Sequence, residues 1–242
     1  MRISRIYTTA ALNSNLIVAL DEKASHHLGK VLRHKVGDAL VLFNGDGQQY
    51  AAEICAIDKR QVTVAVGVAS SPVTESPLQI HLGIAISKGD RMDWVLQKST
   101  ELGVSEITPL SAERTEFKLK GERLDKKISH WQQIIISACE QCGRNTLPRL
   151  HPPASTSAWC KSTAADKKLV LHHRSSGALD PAQSIHSVAL MIGPEGGLSA
   201  EEIQLAETEG FEPLTLGPRV LRTETAPLAA IAVLQSIWGD FR

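Results

Sequence analysis

The sequence predicts an α/β protein in two parts, a small and mainly β domain over residues 1–69 and a larger domain over 78–242 built on a parallel sheet. Three observations carry this. From Leu78 onward, short apolar segments alternate with helical patterns. Before residue 70 the chain reads instead as short strands around Asn44-Gly45-Asp46-Gly47, a hairpin signal because both glycines tolerate positive φ. Between the two parts, Ser70 to Pro77 is polar, carries two prolines and has no apolar periodicity, the pattern of a linker over 70–77.

In the first part, Ala39 to Phe43, Tyr50 to Ile57 and Gln61 to Val68 read as strands, and a helix starting near Asp21 carries Leu28, Val31 and Leu32 on one side. This is a small barrel or sandwich in outline. In the second part the strands are Ile80 to Ile86, Ile107 to Leu110, Leu169 to Leu171, Val188 to Ile192 and Leu214 to Leu216. The helices are Met92 to Leu102, Glu122 to Cys142 with Gly143 as its C-cap, Ser199 to Glu209, and Ala226 to Trp238. Ser199 with Glu202 forms a capping box, which fixes where the preceding loop ends. The last helix is apolar nearly all round, with Gln235 and Ser236 its clearly polar residues, so it needs cover on more than one side. A homodimer contact or burial within the chain would supply that cover.

Composition narrows the function classes. Of 242 residues, 43% are hydrophobic, 21% charged and 4% aromatic, which fits a globular protein with an aliphatic core. No apolar run approaches the ~20 residues needed to cross a bilayer, and Met1 to Arg5 lacks the apolar core of a secretory signal, so a cytoplasmic protein without a membrane partner is expected. Formal net charge is zero, so no whole-molecule field favours nonspecific binding to nucleic acid. Locally, six basic residues against two acidic ones through residue 35 leave an excess of four positive charges, a pattern that fits an RNA footprint or a solvated helix face. Cys139 and Cys142 have the spacing of a redox pair but end a helix instead of opening one, where the dipole would activate a thiol. No second cysteine pair or closely spaced histidine pair points to zinc, and no metal is expected.

The two most informative segments are Gly193-Pro194-Glu195-Gly196-Gly197 and Leu216 to Ala226, each lying between an apolar strand and a helix. In an open α/β sheet ligands bind at the carboxyl ends of strands, where backbone amides at helix starts face the crevice. Neither segment has Walker spacing or the dinucleotide fingerprint, and Glu195 repels phosphate, so a neutral or cationic adenosine-containing ligand suits them better.

These segments resemble the bacterial ribosomal RNA small subunit methyltransferase E family of the SPOUT superfamily, as do Lys88 to Trp94, Gln97 to Val104, Glu140 to Asn145, Arg2 to Tyr7 and His26 to Arg33. The resemblance covers nearly the whole chain. It implies a C-terminal α/β domain with a trefoil knot, an N-terminal PUA-like β-barrel that binds RNA, and a homodimer with S-adenosylmethionine at the knot. The activity implied is methylation of N3 of a uridine in 16S rRNA, on the small ribosomal subunit or a late precursor. A SPOUT methyltransferase for another RNA site, or a non-catalytic RNA-binding ribosome assembly factor, are the alternatives.

Carried onto this chain, the implied cofactor contacts are Gly193, Pro194, Glu195 and Gly196 in the first loop, and Leu216, Gly217, Leu221, Arg222, Thr223 and Ala226 in the second. Leu171 and His172 provide a third contact, where His172-His173-Arg174 departs from the family's pattern. Methylating uracil N3 requires its proton to leave, with charge spreading onto O2 and O4. A guanidinium suits those oxygens, and Arg222 is expected there. Arg219 is expected to do the same or to hold a phosphate. Glu224 or Glu195 would accept the proton or orient Arg222, and capping of the last helix is the structural alternative for Glu224. Arg5, Lys30, Arg33, Arg114 and Lys118, with Arg219, are the expected RNA contacts.

Overall fold

Residues 3–59, 61–115, 121–171 and 179–241 are described by a computed structural model. They form two compact units, Met1–Glu75 with Ile136–Leu147, and Ser76–Ile135 with Pro148–Arg242.

The first unit holds a five-stranded sheet of β1 (Ser4–Tyr7), β2 (Ile17–Ala19), β3 (Ala39–Phe43), β4 (Gln49–Ile57) and β5 (Val62–Ser70), in the order β1-β3-β4-β5-β2. Only β1 and β3 pair in parallel. Alternation decides the core: Tyr50, Ala52 and Ile54 on β4 and Val62, Val64 and Val66 on β5 are buried. The β3–β4 hairpin turns where expected, with Gly45 and Gly47 at φ 93° and 87°. The Asn44 and Asp46 side chains each accept a backbone N–H two residues on. β1 and β2 are not marked in the sequence, because each is too short to show an alternating pattern.

Helix α1 (Glu22–His26) starts at Asp21, whose carboxylate accepts the Ala24 N–H at 3.0 Å. It then widens into a π-helical turn over His27–Val31, closed by the Leu32 N–H on the His27 carbonyl. The extra residue in that turn shifts the phase of the pattern. Leu28 stays in the core, but Val31 and Leu32 are 57% and 42% exposed, which corrects the single apolar side expected of them.

Arg5, expected as an RNA contact, also has partners inside the unit. Its guanidinium donates to Gln49 Oε1 at 2.5 Å, to Asn145 Oδ1 at 2.6 Å and to the carbonyls of Gly143 and Arg144, and it lies over the Phe43 ring. These bonds tie the residues after the long helix into the unit, with Arg5 as a strut between them. Arg144 likewise pairs with Glu75 through Nε and Nη2, and Glu140 accepts the Tyr7 N–H at 3.0 Å.

The second unit holds β6 (Gln79–Ala85), β7 (Glu106–Ser111), β8 (Arg149–Leu150), β9 (Ala154–Ser155), β10 (Lys167–Leu171), β11 (Ser187–Ile192) and β12 (Glu212–Leu214). Their order is β12-β10-β11-β6-β7-β8, with β9 beside β7, and every pair is parallel. Its helices are α2 (Asp90–Glu101), α3 (Glu122–Cys142), whose last turns belong to the first unit, α4 (Thr156–Ser162), α5 (Ala200–Thr208) and α6 (Ala226–Trp238). The central strands read as near-continuous apolar runs because helices cover the sheet, and Val188 to Ile192 are all buried.

The last strand begins two residues before the expected Leu214 to Leu216 segment. Pro213 has no N–H to give to a ladder, yet β12 is an edge strand and tolerates it. Leu216 is thereby released into the loop beyond. Helix α4 is also unmarked in the sequence; its Trp159 sits so close to Gly83 that a Cβ there would meet the ring at 2.7 Å. Helix α6 packs on α2 and β6. Gln235, expected as a polar position, is fully buried: its Oε1 accepts from Ser76 Oγ at 2.7 Å and its Nε2 donates to the Leu102 carbonyl at 3.0 Å. Val233 on the same helix remains 37% exposed. No helix among the described residues is long and apolar enough to cross a membrane.

Candidate functional site

Leu171, Ile192 and Leu214, at the carboxyl ends of β10, β11 and β12, border a cavity of about 500 Å³. Both glycine-bearing loops line it. Gly193, Pro194, Glu195 and Gly196 come from the loop after β11, and Leu216, Gly217, Leu221, Arg222, Thr223 and Ala226 from the loop after β12. Thus every expected cofactor contact that is described borders one space; His172, with His173 and Arg174, lies outside the described residues. Arg114, Arg219 and Glu224 border it as well. Lys30 and Arg33 are exposed on the first unit, and Lys118 lies outside the described residues.

Local chemistry sets each loop. The chain after β11 folds back so tightly that a Cβ at Gly193 would lie 2.9 Å from Leu198 Cγ and 3.1 Å from its backbone nitrogen. The Gly197 N–H closes the turn on the Pro194 carbonyl at 2.9 Å. Helix α5 then starts at the expected capping box, Ser199 with Glu202. Glu202 does more than cap, because its Oε1 also accepts from the Glu113 N–H at 3.0 Å and Thr156 Oγ1 at 2.8 Å, joining three chain segments behind the first loop. In the second loop Gly217 takes φ 81°, a left-handed conformation that side chains rarely adopt. The N–H groups of Thr225 and Ala226 both donate to the Arg222 carbonyl at 2.9 Å, which turns the loop into α6.

Glu224 does not cap α6; the N-cap position is Thr225, without a side-chain bond. Its carboxylate lies 3.9 Å from Arg91 Nε instead. Arg91 Nη1 donates to Glu195 Oε1 at 2.7 Å, so one guanidinium from the first turn of α2 joins both loops. Arg114 Nη1 donates to the Gly196 carbonyl at 2.9 Å, placing it at the cavity rim as a loop support. Sequence reasoning missed Arg91, which stands over a hundred residues from either carboxylate; its only signal is the Lys88 to Trp94 segment of the resemblance. Four arginines (Arg91, Arg114, Arg219 and Arg222) and two glutamates line the cavity among the described residues.

Away from the cavity, burial pushes the Cys139 thiol up to about 12, as fits an inert core cysteine. One group among the described residues has the donor set and spacing for a metal ion, His81 with Glu106 and His151.

Comparison with known proteins agrees with this architecture. The profile of an RNA methyltransferase domain matches residues 74–235, and that of an RNA methyltransferase PUA domain matches residues 20–67. The ribosomal RNA small subunit methyltransferase E of Buchnera aphidicola is 41% identical over 99% of this chain and 98% of its own. A methyltransferase of Legionella pneumophila solved with its bound cofactor SAM superposes with a TM-score of 0.96 at 45% identity, covering all of both chains. The ribosomal RNA small subunit methyltransferase E of Neisseria gonorrhoeae bound to S-adenosyl methionine gives 0.93 at 38% identity, again over both whole chains.

Proposed function

The chain belongs to the ribosomal RNA small subunit methyltransferase E family, and from that premise we propose that it transfers a methyl group from S-adenosylmethionine to N3 of one uridine in 16S rRNA, on the small ribosomal subunit or a late precursor. One observation carries the reading: two loops separated by a helix and a strand converge, at the carboxyl ends of parallel strands, on a single cavity of about 500 Å³, within the range of small-molecule sites. The lining fits the cofactor. Apolar Leu216, Leu221 and Ile192 suit an adenine ring, glycines allow close backbone approach, and Glu195 and Glu224 favour a cationic ligand over a phosphate.

When bound, S-adenosylmethionine supplies an electrophilic methyl group on a sulfonium. The residues of this chain supply the rest. Arg222 is proposed to face uracil O2 and O4, where its fixed charge stabilises the anion formed as N3 loses its proton. Glu224 is proposed to accept that proton or to orient Arg222, and Arg91 to hold Glu224 and Glu195 in register across the two loops. Alignment of N3 with the methyl carbon provides the remaining acceleration. Lys30, Arg33, Lys118 and Arg219 are proposed RNA contacts, and Arg114 a support that also faces RNA at the rim. A second copy of the chain is proposed to cover the outer side of α6, in keeping with the exposed Val233.

The test is mass spectrometry of 16S rRNA from purified small subunits before and after incubation with the protein and methyl-labelled cofactor. A single labelled N3-methyluridine is expected. Label on a ribose or another base would replace the proposed position, and cofactor binding without any transfer would favour a binding role.

A further inference from the structure

At the end of the sheet remote from the cavity, three donor side chains meet that are far apart in sequence. His81 on β6 stands in direct register with Glu106, the first residue of β7, and the His151 N–H extends the β7–β8 ladder by donating to the Ile107 carbonyl at 2.8 Å. One donor atom from each of His81, Glu106 and His151 lies within 4.8 Å of the other two, and all three side chains are half-buried. We propose that His81, Glu106 and His151 bind a divalent transition-metal ion of the zinc class, which ties β6, β7 and the segment after β8 together.

The chemistry matches the class. Two imidazoles and one carboxylate are the protein ligands of an open zinc site, the fourth position being left to water. Tetrahedral bonds of about 2.0–2.1 Å require donor separations of about 3.3 Å. His151 Nε2 and Glu106 Oε2 are hydrogen-bonded at 2.5 Å, so they must open by under an ångström while the third donor closes in. Both movements are within side-chain torsions. Burial holds the His81 ring at a pKa of about 4, which keeps it neutral and able to ligate across the physiological range. Thr108 Oγ1 lies 2.8 Å from His81 Nε2 and can accept its proton, which leaves Nδ1 to ligate; the Trp159 indole N–H, 3.2 Å from the same Nε2, needs that nitrogen as an acceptor, so this bond is given up when the metal binds. Arg149, whose field reaches both His81 and Glu106, opposes the cation. Removing its charge should therefore tighten binding.

Cobalt is the probe, because Co²⁺ on such ligands shows visible absorption that the hexahydrated ion lacks. Titrating the metal-stripped full-length protein with Co²⁺ should give a saturable band at one equivalent, a change in Trp159 fluorescence, and loss of the band on adding Zn²⁺. Glu106→Gln and His151→Gln should each weaken binding by about tenfold or more, and Arg149→Ala should strengthen it. No saturable band, or a band with unchanged affinity in both ligand variants, overturns the proposal and in the second case assigns the cobalt to other histidines. Calorimetry with S-adenosylmethionine should be the same for all of these proteins, so this result stands or falls apart from the methyl-transfer reading.

Discussion

Arg222 and Arg91 line the same cavity, but their positions lead to different expectations. Arg222→Ala should fold and bind S-adenosylmethionine while losing about 100-fold or more in turnover on small subunits, because a donor to a developing anion acts mainly in the transition state. Single-turnover rates with calorimetry test this, and retained turnover would move the role to Arg219. Arg91→Ala removes a half-exposed ion pair worth only about 0–1 kcal/mol, so cofactor affinity should fall by no more than about fivefold. Gly193→Ala should cost more than either in cofactor affinity, since its Cβ would meet backbone at 3.1 Å. Glycines and arginines of the two loops were legible because residue type alone limits their chemistry. Arg5 was not, since nothing in Arg-Ile-Ser-Arg-Ile says that one guanidinium points inward to Asn145 and Gln49. Arg33→Ala should therefore lower the salt dependence of RNA binding by about one counterion, whereas Arg5→Ala should lower the melting temperature.

Among the elements, α5 and its cap were readable because Ser199 and Glu202 are local partners three residues apart. The additional bonds from Glu202 to Glu113 and Thr156 were not, being tertiary. That difference is measurable in denaturant: Ser199→Ala should cost about 1 kcal/mol, the usual worth of a cap, and Glu202→Ala should cost more because two further donors lose their acceptor. Equal losses would mean that the tertiary bonds contribute nothing. Similarly, His81, Glu106 and His151 show no spacing that a linear motif could reveal; strand register brings them together. His81 also makes β6 sensitive to acid. Its folded pKa of about 4 lies below the unfolded value, so the unfolded chain takes up the proton first. The stability it contributes is complete above about pH 6.5 and declines as pH falls toward 4. Melting temperatures in chelator should drop over that window, and His81→Gln should flatten the drop. A curve unaffected by His81→Gln would assign the acid sensitivity to other groups.

For the whole molecule, α/β alternation and the β-rich first part were plain from period and turn chemistry, while the short strands β1, β2, β8 and β9 escaped because two to four residues carry no period. The apolar excess of α6 calls for cover on more than one side, and Gln235 shows one cover lying inside the chain. The other should be a second protomer. Sedimentation should give a dimer, and Val233→Glu should shift it toward monomer; a monomer at all concentrations would remove the dimer from the mechanism. Both borders of the parallel sheet are stubs, Arg149–Leu150 at one side and a three-residue strand containing Pro213 at the other. A margin so brief, with one amide missing, cannot template another chain's backbone. The sheet is therefore closed to ribbon-like growth through its backbone, and any pairing with a second copy of the chain is left to side chains.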